Sequence, residues 1–314
     1  MKESEKPTIE GKKETKINKR KIIAISTAAF LLPLSISVAA VAYLSNLLIK
    51  AKRSESKTTP GKFGIKYKNV VFKSSDGFDV KSWWISGRIK NKAIILCHGF
   101  GLDKSDFPGH LKFLYNAGYS LLLFDFRGHG ESSLEYTSLG YLEVNDLLGA
   151  VSFVRRKKIR RIGILGLSMG ASTAIIAATK TKYINAVVAD SPFAKLHEVI
   201  DNYGKKYYHI SSKIITRLTV WMAELRTGFK YERVNPIEDI KKMNAPLLII
   251  HGQKDSLVPV ANAKELFANA KGPKEFVVFP GIDHGEAHLK CKFKYENKVL
   301  DFYRRYLFCK SKKI

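Results

Sequence analysis

Past residue 67 the chain alternates between two hydrophobic rhythms. Short runs are apolar at nearly every position: AIILC (93–97), SLLLFD (120–125), RIGILGL (161–167), INAVVAD (184–190), PLLIIHG (246–252) and EFVVF (275–279). Between them, 105–117, 139–157, 169–180 and 261–270 repeat their apolar residues at helical spacing, and a last such stretch covers 293–308. A strand buried on both faces has no polar side to show. Uniformly apolar strands separated by helices therefore predict a parallel sheet covered on both faces, the α/β class. Ahead of them, YKNVVFKSSDGFDVKSWWISG reads as two strands turning at Asp76-Gly77, a dipeptide suited to a tight hairpin.

Two segments break the rhythm. Residues 22–49 carry no charge at all, interrupted only by Pro33. That length crosses a bilayer with some tilt and exceeds the usual signal-peptide core, although Ala40-Val41-Ala42 resembles a cleavage site. An uncleaved anchor is expected. The second exception is 191–245, far longer than one crossover helix needs and rich in aromatics (Phe193, Tyr203, Tyr207, Tyr208, Trp221, Phe229, Tyr231). A long insertion after a strand is a candidate lid. The expected layout is a polar basic tail at 1–21, an anchor at 22–49, a linker at 50–66 and one catalytic domain at 67–314.

Charge adds a constraint on partners. Lys and Arg number 54 against 28 Asp and Glu, a net +26, which favours anionic surfaces such as acidic lipid head groups. The lysines are scattered and not interleaved with aromatics, so no nucleic-acid partner is expected. Eight basic residues precede the apolar span and seven lie in 50–69 after it. The positive-inside rule therefore gives little bias; the expected orientation places the tail inside and the domain outside. Cys97 reads as a buried apolar residue, and Cys291 and Cys309 have no metal-ligand spacing, so neither a disulfide framework nor a metal site is expected.

Candidate chemistry begins at Gly166-Leu167-Ser168-Met169-Gly170. A G-x-S-x-G run arises by chance in roughly one chain of this length in ten. Its place between a buried strand and a helix is what gives it meaning. A nucleophilic serine needs a sharp strand-to-helix turn that lifts its hydroxyl above the sheet, and Gly166 and Gly170 relieve crowding there. The helix that follows turns its N-terminal N–H groups toward a developing oxyanion.

The loop Cys97-His98-Gly99-Phe100-Gly101 follows another buried strand. It can supply a second backbone donor at Phe100 beside that of Met169, with His98 and Gly99 shaping the loop. A carboxylate is needed to orient an imidazole base; Asp255, just past PLLIIHG, is favoured over Asp190, which leads into the insertion. His284 follows the last strand and is the expected base, with His288 its nearest competitor. The candidate triad is thus Ser168, Asp255 and His284, each placed after its own strand.

Together the stretches SSDGFDVKSWWI, CHGFG, FDFRGHGES, GLSMGA, DSPF, LIIHGQKDSLVP and IDHGEAH make the chain from about 67 to 308 resemble the α/β-hydrolase superfamily. Within it, the likeness is to the serine-aminopeptidase-like and BEM46-like hydrolases, many with an N-terminal membrane segment. The resemblance implies an eight-stranded, mostly parallel sheet with a helical lid. It also implies an oxyanion hole from Phe100 and Met169, and a structural loop at Asp125–Gly130 beside the site. Serine at the elbow separates the chain from the dehalogenase and epoxide-hydrolase branches, which use aspartate.

The expected activity is hydrolysis of an ester or thioester through an acyl-serine, without cofactor, on a small acyl ester or lipid. The alternative is a peptidase on short peptides, in which Glu286 could meet a free amine. A non-catalytic binding protein on the same fold is the remaining alternative, and the complete triad argues against it.

Overall fold

The computed structural model describes residues 19–51, 58–132 and 136–308. Residues 1–18 of the expected tail, 52–57 of the linker and Cys309 lie outside the described residues. In chain order the elements are α1 (Lys19–Ile49), β1 (Lys68–Lys73), β2 (Asp79–Ile85), β3 (Lys92–Cys97), α2 (Pro108–Asn116), β4 (Ser120–Phe124), α3 (Glu143–Arg156), β5 (Arg161–Leu167), α4 (Met169–Lys180) and β6 (Ile184–Asp190). They continue as α5 (Leu196–Tyr208), α6 (Lys213–Thr227), α7 (Pro236–Asp239), β7 (Leu247–Gly252), α8 (Val260–Asn269), β8 (Lys274–Phe279), α9 (Ala287–Lys290) and α10 (Lys292–Phe308).

The strands form one eight-stranded sheet in the order β1-β2-β4-β3-β5-β6-β7-β8. β1 and β2 are antiparallel, β2 meets β4 antiparallel, and every later pair is parallel. This is the α/β-hydrolase fold. Alternation survives inside the apolar strands: Ala93, Ile95 and Cys97 of β3 join the core beneath α3, α4 and α8, while Ile94 and Leu96 join the core beneath α2 and α10. Parallel strands all point their carboxyl ends the same way, so the loops after β3, β5, β7 and β8 gather along one edge.

Two helices start later than their hydrophobic spacing suggests. Asp103 caps a short 3₁₀ turn over Lys104–Asp106, and Pro108 then opens α2 at the position where its missing N–H costs nothing. Before α3, Leu139 takes φ 55°, and the Glu143 carboxylate accepts hydrogen bonds from Thr137 Oγ1, Ser138 N–H and Gly140 N–H. Those bonds hold 137–142 as a turn.

The insertion divides into two parts. Helices α5 and α6 stand over the carboxyl edge of the sheet. The stretch after them returns to the core, where Val234, Ile237, Ile240 and Met243 are buried. Helix α1 is exposed through Ala40 at its described side chains. It then enters the domain, where Ser45 and Ile49 are fully buried. Its last turns pack on α6: Arg226 donates to Asn46 Oδ1 (2.8 Å) and Ser45 Oγ (3.3 Å), and Thr137 N–H donates to Ile49 C=O (2.9 Å). By length and composition α1 can cross a membrane.

Candidate active site

The elbow is shaped by close backbone contacts. Ser168 sits at φ 52°, ψ −114°, a conformation costing about 1–3 kcal/mol that its surroundings must enforce. Its N–H donates to Asp190 C=O at 2.8 Å, so β6 holds the turn. A Cβ at Gly166 would lie 2.4 Å from Gly170 C=O oxygen, and one at Gly170 would lie 2.2 Å from that of Cys97. Only glycine lets α4 begin so near the end of β3. This presses the loop after β3 against the serine: a Cβ on Gly99 would touch Ser168 Cβ at 3.4 Å.

The hydroxyl meets its neighbours in hydrogen-bonding geometry. Ser168 Oγ lies 2.9 Å from His284 Nε2, and His284 Nδ1 lies 2.7 Å from Asp255 Oδ2. With Nδ1–H donating to the carboxylate, Nε2 is left to accept the serine proton. The other oxygen of Asp255 accepts the N–H groups of Leu257 (3.0 Å) and Val258 (2.7 Å). Burial pushes this carboxyl up, but hydrogen bonds from His251 and His284 outweigh it and hold the group well below the usual carboxylate range. A fixed anion therefore faces the imidazole. The backbone of His284 is set in turn by Asp283, whose Oδ1 accepts the His284 N–H (2.8 Å) and the Ser256 N–H (2.8 Å).

The other candidates separate cleanly. Asp190 is buried behind the elbow and accepts from the Ser191 hydroxyl at 3.0 Å; burial raises its pKa. His288 points away, stacking on His110 with ring centroids 4.1 Å apart and bonding Glu296 at 3.1 Å. The half-buried Glu286 carboxylate is paired with Lys290 and accepts the Asp283 N–H at 3.3 Å. His98 is fully buried, and burial holds it well below the ordinary imidazole range. Its Nδ1 bonds Gly99 C=O (2.8 Å) and its Nε2 accepts the Phe126 N–H (3.0 Å), so it ties the loop after β3 to the loop after β4. That second loop is clamped by buried Arg127, which donates to Asp146 (Nη2 to Oδ1, 2.7 Å) and to Asp76 in the β1–β2 turn (2.7 Å).

Ser168, Met169, His284, Gly99 and Phe100 all border one cavity of about 670 Å³. Its far wall is apolar and aromatic, with Leu196, Ile200 and Tyr203 from α5. Two contributions were not anticipated from sequence. Leu47, Leu48 and Lys50, at the end of α1, line the same cavity, and nothing in an uncharged run marks which turn will pack inward. His251 brings Nε2 within 3.2 Å of Asp255 Oδ2 and 2.7 Å of Val258 C=O; its place four residues before Asp255 was the available signal. Among the described residues, no cluster of three or more His, Cys, Asp or Glu side chains is arranged to hold a metal.

Comparison with known proteins adds a lineage. The profile of the prolyl oligopeptidase family matches residues 105–308. The uncharacterized protein YqkD of Bacillus subtilis is 29% identical over 236 residues, covering 74% of this chain and 77% of that protein. Among solved structures, the Pyrococcus furiosus esterase Pf2001 superposes with a TM-score of 0.71 at 26% identity, over 82% of this chain and all of that one. An acylaminoacyl peptidase from Pyrococcus horikoshii shares the fold at 20% identity and TM-score 0.61, over 80% of this chain and 43% of that chain.

Proposed function

The chain belongs to the prolyl oligopeptidase family and is a serine hydrolase acting on ester or amide bonds; from that premise we propose that it is a membrane-anchored carboxylesterase using Ser168, His284 and Asp255. Ser168 Oγ attacks the acyl carbonyl while His284 Nε2 takes its proton, and the Asp255 carboxylate stabilises the imidazolium. The backbone N–H groups of Phe100 and Met169 receive the oxyanion. His284 returns the proton to the departing alcohol, leaving an acyl-serine. A water molecule, deprotonated by the same imidazole, then releases the acid and restores the serine.

The observation that carries the ester reading is the lining of the cavity. Among the described residues it presents Ser168 with apolar and aromatic side chains and Lys50, and with no carboxylate that could receive a peptide amine. Glu286, the sequence candidate for that task, is paired with Lys290 at the surface. The likeness to an archaeal esterase supports the same reading. Cleavage of short peptides is the second reading, favoured by the family match. Retention of α1 as an anchor, with the domain on the outer side, is part of the proposal. The burial of Ser45 and Ile49 in the domain supports retention.

The test exposes full-length protein and its Ser168→Ala variant to a fluorophosphonate probe, then to p-nitrophenyl esters and matched aminoacyl amides. Labelling confined to the wild type, with esters turned over at least tenfold faster than amides, is expected. Equal labelling of both proteins removes Ser168 as nucleophile, and faster amide turnover transfers the assignment to the peptidase reading.

A further inference from the structure

Helix α6 carries an apolar stripe that the protein itself does not cover. Its inner face is Thr219, Val220 and Ala223, which are buried. Ile214, Leu218, Trp221 and Leu225 lie on the outer face at spacings of four, three and four residues, and all are exposed, Trp221 by 54%. Exposed basic residues, Lys213 and Arg217 among them, flank this stripe. A helix with an apolar face beside cations is built to lie in the head-group boundary of an anionic leaflet.

The neighbour of α6 identifies that occupant. Helix α1 packs against it through Arg226, Ser45 and Asn46, and from Ile23 to Tyr43 its described side chains are exposed or half-buried. At ~1.5 Å per residue those 21 positions span about 30 Å, the thickness of a bilayer's hydrocarbon core. With α1 crossing the bilayer, its exit falls at the turn that touches α6, and the exposed stripe reaches the same leaflet.

The chamber shares a wall with a smaller apolar hollow. Leu48 and Tyr203 border both the chamber holding Ser168 and this hollow, whose other side chains include Leu44, Ile210 and Ile215. The hollow lies between α1 and α6 and, joined to the chamber, would form a channel from the serine to the level of Leu44 on α1. We propose that α6 seats in the leaflet that α1 enters, and that the substrate is a lipid ester whose acyl chain passes laterally from that leaflet along the α1–α6 channel to Ser168. Helix α1 is then part of the substrate site as well as a tether. This deepens the esterase reading and rests on it.

The experiment uses full-length protein in vesicles of phosphatidylcholine and phosphatidylglycerol, assayed with p-nitrophenyl butanoate and dodecanoate. Each methylene accommodated raises kcat/KM about fourfold until the channel is filled, so the wild type favours the longer ester. Leu44→Trp and, separately, Ile215→Trp narrow the channel and are expected to lower the dodecanoate-to-butanoate ratio of kcat/KM at least tenfold. The ratio is internal to each preparation, so incomplete folding does not alter it.

A second readout needs no channel variant. Brominated phospholipids are expected to quench wild-type fluorescence more than that of Trp221→Phe, because Trp83 and Trp84 are buried. Ratios unchanged in both channel variants, or equal quenching with and without Trp221, overturn this inference while Ser168-dependent ester hydrolysis stands. Absence of that hydrolysis in the wild type overturns the esterase reading, and the inference with it.

Discussion

The two walls of the cavity are held by different forces. One is the carboxyl edge of the sheet, where the elbow, the loop after β3 and the loops carrying Asp255 and His284 are locked by backbone hydrogen bonds and glycine contacts. Helix α4 on this side buries every residue from Met169 to Ala178. The opposite wall is α1, α5 and α6, held by side-chain packing and a few polar ties such as Arg226 to Ser45 and Asn46, Asn202 to Leu257 and Thr137 to Ile49, with α6 burying three residues. Ser168, His284 and Asp255, whose polar atoms meet within hydrogen-bonding distance, sit on the locked wall. The apolar side chains that face them sit on the wall with fewer backbone ties.

Substitutions on each wall can break this contrast, and the largest effect belongs to the locked one. Asp255→Asn leaves the outline of the site intact but removes the anion facing His284, and is expected to lower kcat on a short ester about 10³–10⁴-fold. The same residue has a signature in acid. Its carboxylate binds a proton more weakly folded than unfolded, so its contribution to stability is complete above the ordinary value of 3.8 and is lost as pH falls below it. Urea melts between pH 5 and 3 should show the wild type losing stability more steeply than the variant; parallel curves would remove Asp255 as the cause.

The next comparison makes one change on both walls. Gly170→Ala drives a Cβ into backbone, 2.2 Å from Cys97 oxygen, and is expected to cost about 3 kcal/mol or more in urea unfolding. Gly204→Ala in α5 meets only ordinary contact, Ile210 oxygen at 3.6 Å, and should stabilise by ~0.5–1 kcal/mol through helix propensity. Equal costs would erase the distinction between the walls. The smallest expected effect is Arg226→Ala, which unties α6 from α1: about 1 kcal/mol of stability, and roughly a threefold drop in preference for long over short acyl chains.

How far the sequence could be read follows the same division. Strands β3 to β7 announced themselves because a strand covered on both faces must be apolar throughout, while β8, half-buried at the sheet's edge, is marked only by the short run Phe276–Phe279. The elbow was legible because a strained turn needs Gly166 and Gly170 at fixed offsets from Ser168. Contacts that depend on distant partners were hidden. Ser45 and Asn46 look like minor interruptions of an apolar run until Arg226, some 180 residues away, reaches them. Arg127 likewise joins Asp76 to Asp146 across three elements, and no local pattern records it. The insertion was visible as a length. That its first part covers the cavity while Val234–Met243 returns to the core depends on packing against α4, which spacing alone does not encode.

The last turns of α1 carry a practical consequence. Helices long and apolar enough to cross a membrane are commonly trimmed to obtain a protein that purifies from water, and the uncharged run ending at Ile49 invites a cut there. Such a cut would remove Leu47 and Leu48 from the chamber and Ile49 from the core, and would uncover the half-buried Tyr203 beside them. The trimmed protein could keep its triad and still hydrolyse small activated esters. Its selectivity profile would describe a chamber with one side missing, so a library screened on it would rank the wrong molecules.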